Sequence, residues 1–139
     1  MKKFLGNLSN FRVWLLKGLN ELKDYDCLCL NLYDDEDEED YSCELVGTSK
    51  FCQDGDDWNF DEEKVYSRKN PFVLCEKSDI DDDTKLLLLF KRLLENTITD
   101  KKVAKMVKDK SLAYGFVNGR MHFAISNNDH DCYNGCMDR

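Results

Sequence analysis

The sequence predicts an α+β fold: an antiparallel sheet of about five or six strands, an N-terminal helix and two central helices packed on it, and a C-terminal β-hairpin. Three observations predict it. Cys27 to Tyr33 alternates, with Leu28, Leu30 and Leu32 on one face and Cys27, Cys29, Asn31 and Tyr33 on the other. Thr84 to Asn96 carries Leu86 to Phe90, Leu93 and Leu94 behind an acidic start, the pattern of a helix. Leu112 to Val117 and Arg120 to Ile125 flank Asn118-Gly119, the pair preferred in a type I′ hairpin turn.

The elements follow in order. Ser9 or Asn10 caps a first helix running to about Lys23, with Phe11, Trp14, Leu15, Leu19 and Leu22 recurring every three or four residues. The strand at Cys27 to Tyr33 comes next, then an acidic connection too short for a helical crossover, so Tyr41 to Thr48 should pair antiparallel with it. Gly47 and Gly55 bracket a shorter strand or irregular segment around Lys50 to Cys52. Phe72 to Glu76 is a further strand with Pro71 at its mouth, where a missing N–H is tolerated. Asp79 to Asp83 precedes the second helix, and Asp100 caps a third with Val103, Met106 and Val107 inward. Residues 1–125 read as one domain, and 126–139 as a polar, flexible tail.

A chain of 139 residues can bury a single core without covalent staples, and 42% hydrophobic content argues against a disordered acidic polymer. No run of about 18 apolar residues is present, so no spanning helix and no membrane partner is expected. The start, Met1-Lys2-Lys3-Phe4-Leu5, imitates a signal peptide, but Asn7, Ser9, Asn10 and Arg12 interrupt the apolar stretch, and it reads as mature protein. Seven cysteines, an odd number, with Cys27 and Cys29 on one strand face, suit reduced thiols better than a disulfide framework. A cytoplasmic location follows as the expectation.

Charge is the most distinctive property. Asp34, Asp35, Glu36, Asp37, Glu38, Glu39 and Asp40 are seven consecutive acidic residues between two strands. A second cluster follows: Asp54, Asp56, Asp57, Asp61, Glu62 and Glu63, with Trp58 and Phe60 embedded in it. From Asp24 to Glu63 sixteen carboxylates meet one lysine, a local charge of −15, and since the chain totals −8 the remainder carries +7. Held together, such charges repel and lower stability, so they constrain the partner. A solubilising loop without a partner is the bland alternative. The sharper reading is a negative platform for a basic protein, the carboxylates steering encounter and Trp58 supplying an aromatic anchor. Trp58 can equally belong to the core.

Other chemistries find less support. His122 and His130 are the only histidines, and no nucleophile, base and orienting group fall into a pattern, so an enzyme is not expected. His130, Cys132 and Cys136 offer three zinc-type ligands but lack a fourth. A calcium loop starting at Asp54 would place Asn59 where glycine is needed and Val65 where the terminal glutamate belongs. No metal or other cofactor is therefore expected. The lysines of the third helix form a modest basic patch, but the acidic region would repel phosphates, so no nucleic-acid partner is expected. Oligomeric state is not legible.

Tyr25-Asp26-Cys27 through Tyr33, the Tyr41 to Gly47 strand, and Asp56-Asp57-Trp58 followed by Asp61-Glu62-Glu63 together form a pattern. With Tyr114-Gly115-Phe116-Val117-Asn118-Gly119-Arg120, similar to a Gly-Phe-x-x-Gly strand-turn, it covers about residues 10 to 125. The chain thereby resembles the small acidic immunity proteins of bacterial polymorphic-toxin and contact-dependent growth-inhibition systems. The resemblance implies binding to a cognate toxin, often a basic nuclease, whose active site the carboxylates would mask. It carries over no catalytic residue. The partner-binding residues expected are Asp34 to Asp40, Asp54, Asp56, Asp57, Trp58, Asp61 and Glu62. A non-inhibitory acidic adaptor for a basic protein is the alternative.

Overall fold

Both faces of the strand at Cys27–Tyr33 are buried, and the architecture is built around it. The computed structural model describes residues 8–34, 38–48, 52–54, 57–59, 64–66, 71–80, 82–117 and 121–125. In chain order the described elements are α1 (Leu8–Glu21), β1 (Cys27–Tyr33), β2 (Asp40–Thr48), β3 (Cys52–Asp54), β4 (Asp57–Asn59), β5 (Lys64–Tyr66) and β6 (Phe72–Glu76). A 3-10 turn (Lys77–Asp79), α2 (Asp83–Ile98), α3 (Lys101–Val107), β7 (Ser111–Phe116) and β8 (His122–Ile125) follow. The α+β class predicted from the sequence is the class observed.

The expected all-antiparallel sheet is not. Six strands form a mixed sheet in the order β5-β2-β1-β7-β8, with β6 also paired to β2. β1 runs antiparallel to β2 but parallel to β7, from Cys27↔Ser111 to Leu32↔Phe116. A parallel neighbour requires the chain to return to the end where the first strand began. The helices accomplish this: after α3, the Ser111 N–H donates to the Asp26 carbonyl at 2.8 Å, starting β7 beside the start of β1. β7 and β8 pair antiparallel, while the Asn118-Gly119 turn proposed between them lies outside the described residues. So does the 126–139 tail with His130, Cys132 and Cys136. β3 and β4 form a separate two-stranded sheet.

The helices form for reasons visible in the sequence. α1 buries Phe11, Leu15 and Leu19, with Leu22 just beyond its end, a stripe at helical spacing. Asp82 caps α2 by accepting from the Lys85 N–H at 2.7 Å, and α2 turns Leu86, Leu89, Phe90, Leu93 and Leu94 inward. Asp100 caps α3 through the N–H groups of Lys102 and Val103, at 3.1 and 3.3 Å. These side chains share one core with Leu28, Leu30 and Leu32 of β1, Tyr41, Cys43 and Leu45 of β2, and Leu112 and Tyr114 of β7. Each fully buried leucine contributes about 1.5–3 kcal/mol. On the opposite face of the sheet Cys27, Cys29 and Ala113 form a second buried cluster.

Gly18 marks a close approach of α1 to the sheet. A Cβ there would lie 2.7 Å from Cδ2 of Tyr66 and 2.9 Å from Cδ2 of Leu45. Alanine improves helix propensity by about 1 kcal/mol, whereas overpacking costs about 1–3 kcal/mol. The Tyr66 ring is backed by Trp14, 5.6 Å away between centroids, so it yields poorly. Gly18→Ala is expected to destabilise the protein by a net 1 kcal/mol, roughly, read as a lower urea midpoint. A raised midpoint would show that α1 is free to move off the sheet.

Candidate functional site: an acidic end of the sheet

Asp34 leaves β1, and Glu38, Glu39 and Asp40 lead into β2 at the same end of the sheet. β6 brings a further acidic segment alongside. Asp40 pairs with Glu76, and the Lys77 N–H donates to the Glu39 carbonyl at 2.8 Å. The chain then turns through Lys77–Asp79, anchored by the buried Ile80, and enters α2 at Asp82 and Asp83. The Tyr41 hydroxyl donates to Oδ1 of Asp83 at 3.0 Å and so ties the start of β2 to the start of α2. Eight described carboxylates meet here: Asp34, Glu38, Glu39, Asp40, Glu76, Asp79, Asp82 and Asp83. Asp34 and Asp40 are half-buried, and the other six are exposed.

Lys77 lies among them, and its charge is engaged locally. Nζ donates to the Asp34 carbonyl at 2.8 Å and lies 5.8 Å from the centroid of the Tyr41 ring. The field is registered by neighbouring groups. Burial, followed by the charge of Asp79 and then those of Asp40 and Glu76, pushes the Cys75 thiol up to about 11. Tyr41 is raised by burial, by its hydrogen bond to Asp83 and by the charges of Asp83 and Asp34. A thiol and a phenol held protonated in this way are poor nucleophiles and poor bases at neutral pH. The arrangement suits attraction of cations.

The neighbouring Asp83 carboxyl, then burial and then the Asp83 charge, raises the Asp34 carboxyl above its ordinary value of 3.8. A carboxyl with a raised folded-state pKa binds more protons folded than unfolded, so its stabilising contribution is present at low pH and lost as pH rises through the folded value. Asp34→Asn mimics the protonated form. It is expected to gain stability over the wild type at neutral pH and lose that advantage towards pH 3.8, in urea titrations at several pH values. A difference independent of pH would show that Asp34 does not take up a proton beside Asp83 in the folded protein.

The acidic sequence is thus divided by the fold. Asp26 lies at the opposite end of β1, where its carbonyl receives the start of β7. Glu44, only 4% exposed, is turned into the sheet and accepts from the Tyr33 hydroxyl, so it belongs to no docking surface. Asp54, Asp57 and Trp58 fall on the β3–β4 ribbon, Asp54 opposite Asp57 and Trp58 opposite Gln53. The side chains of these three, with Asp35, Glu36, Asp37, Asp56, Asp61 and Glu62, lie outside what the structure describes. Sequence reasoning missed Glu76, Asp79, Asp82 and Asp83 as part of the site, having read the aspartates as a helix start. The pairing of β2 with β6, the Tyr41–Asp83 hydrogen bond and the Lys77–Asp34 hydrogen bond join them to Asp34, Glu38, Glu39 and Asp40.

His122 stacks on Tyr114 at 5.4 Å between centroids, a contact within the sheet. Among the described residues no group of three or more His, Cys, Asp or Glu could hold a metal ion. Cys29, Cys43 and Cys75 are buried thiols outside any disulfide, that of Cys29 donating to Oδ1 of Asn31 at 3.3 Å, whereas Cys27 is disulfide-bonded, contrary to the expectation of reduced thiols throughout. No helix among the described residues is long and apolar enough to cross a membrane. No family model, curated protein or solved structure matches the chain.

Proposed function

We propose that the acidic end of the sheet docks a basic protein, and that this protein is a cognate toxin which the chain neutralises by covering a cationic, nuclease-like cleft. The observation that carries the reading is convergence. Carboxylates from the β1–β2 connection, the end of β6 and the start of α2 share one end of the sheet, where the charge of Lys77 is already engaged. Such a surface raises the encounter rate with a basic partner and pairs with its lysines and arginines on contact. The expected anchor is Trp58, whose truncation would cost about 2 kcal/mol of binding or more. The reading places the protein in the cytoplasm. The buried thiols of Cys29, Cys43 and Cys75 accord with a reducing compartment, and Cys27 is the thiol that would have to be released there.

The test takes the product of the neighbouring gene as the binding partner. Glu38→Gln, Glu39→Gln, Glu76→Gln and Asp79→Asn together are expected to slow association by about tenfold at low salt and to flatten its salt dependence. An unchanged on-rate and an unchanged salt slope would dismiss the steering role. Binding that leaves the partner's toxicity intact would identify a non-inhibitory adaptor instead.

A further inference from the structure

The end of the molecule opposite the acidic surface carries the complementary charge. α2 starts at the acidic end and runs 16 residues, about 24 Å, before α3 begins. β1 gives the same separation independently: its last residue, Tyr33, adjoins the acidic run, and its first, Cys27, pairs with Ser111, four residues beyond the end of α3. Lys91 and Arg92, midway along the outer side of α2, and Lys101, Lys102, Lys105 and Lys108, at the far end on and just after α3, are all exposed. None of these six side chains makes an ion pair or hydrogen bond among the described residues. Carboxylates at this end are Glu95, Asp100, Asp109 and, around Lys110, Asp24 and Asp26; Asp100 is occupied by the cap of α3 and by Arg12 at 3.6 Å, and the six exposed cations outnumber the remaining four. Charges more than about 8 Å apart at the surface are largely screened at physiological salt, so the two ends do not neutralise each other within one molecule.

We infer that the cationic face of α2 and α3 docks the acidic end of a second copy of this chain, head to tail. The occupant is set by charge complementarity: the exposed Glu38, Glu39, Glu76, Asp79 and Asp82 form the matching surface, and every copy carries both halves. Different patches meet in such a contact, so a pair retains one free patch of each sign and further copies add as concentration rises. With exposed charges on both sides, the contact is weak and sensitive to salt. The acidic surface proposed to hold a basic partner would then be covered by a neighbouring copy until that partner displaces it. The inference itself needs only the purified protein and does not rest on that reading.

Sedimentation equilibrium tests it. At about 0.03 M salt the average mass should rise with protein concentration, and at about 0.5 M the protein should be monomeric, since the screening length shortens from about 17 Å to about 4 Å. The variant Lys101→Glu, Lys102→Glu, Lys105→Glu should be monomeric at low salt, as should Glu38→Lys, Glu39→Lys, Glu76→Lys. Glutamates at 101 and 102 favour the dipole of α3 and offset the loss of Lys105 from its last turn, and circular dichroism registers that the helix is kept. Mixed in equal amounts, the two variants should associate again, because each then meets the opposite charge. A wild type that stays monomeric at low salt, variants that associate as it does, or a mixture that stays monomeric would each overturn the inference. A monomeric protein that still binds a basic partner would overturn this inference and leave the docking proposal standing.

Discussion

Phe11→Ala is expected to destabilise the protein by about 4 kcal/mol, within the range for removing a buried phenylalanine side chain. Phe11 is fully buried and stands where three elements meet. Its ring stacks on Trp14 of α1 at 5.8 Å and meets Phe72 of β6 and Phe90 of α2 edge-on, at 5.4 and 5.7 Å. Edge-to-face pairs add about 0.5–1.5 kcal/mol each beyond buried area, and alanine removes them all while opening a cavity among rigid rings. Phe72 cannot collapse into that space without dragging β6 away from β2. Phe11→Leu, which keeps most of the volume, should cost less than half as much. Urea unfolding of both variants decides: a loss under about 1 kcal/mol for alanine would mean that α1 is not fixed on this cluster.

The consequence reaches the acidic end through β6. Glu76 and Asp79 are held beside Asp40 only because β6 pairs with β2 and the turn after it is pinned by Ile80. Between Tyr41 and Ser42 the β2–β6 register shifts by one residue, an irregularity of the kind that twists a strand and redirects its side chains. Aromatic packing on one side of β6 and charge at its end are therefore linked. A variant loosened at Phe11 should bind a basic partner less well even though it retains every carboxylate.

Much of this was legible in the residues themselves. The alternation of Leu28, Leu30 and Leu32 defines β1 with the bounds observed, and Asp100 caps α3 as its side chain suggests. Local signals sufficed because strand alternation and helix capping are local physics. The parallel pairing of β1 with β7 was not legible, since no residue in Cys27–Tyr33 records which distant strand arrives beside it. Glu44 shows the same limit. It alternates with Cys43 and Leu45 as an outward residue should, yet the second face of this sheet is buried as well, and Tyr33 receives it there. The acidic run was conspicuous, but its partnership with Glu76, Asp79, Asp82 and Asp83 depends on a turn that brings separate segments together.

Lys110→Met should lower stability by about 3 kcal/mol, a large effect for a lysine. Lys110 is 8% exposed, and its ammonium group donates to the carbonyls of Lys23 at 2.8 Å and Tyr25 at 2.5 Å. Those carbonyls belong to the connection between α1 and β1, and a cation past a helix end is well placed to receive them. Charge-assisted bonds of this kind contribute about 1.5–3 kcal/mol each, partly offset by desolvation of the ammonium. Burial lowers the Lys110 pKa, opposed by Asp26, Asp24 and Asp109, so the site is dry enough for the bonds to matter and acidic enough to keep the charge. Methionine fills the volume and leaves two carbonyls without their donor. Lys108→Met, at an exposed neighbour, should stay within about 0.5 kcal/mol of the wild type. If the two variants unfold alike, Lys110 does not hold the α1–β1 connection against β7, and another contact must set the parallel register of β1 and β7.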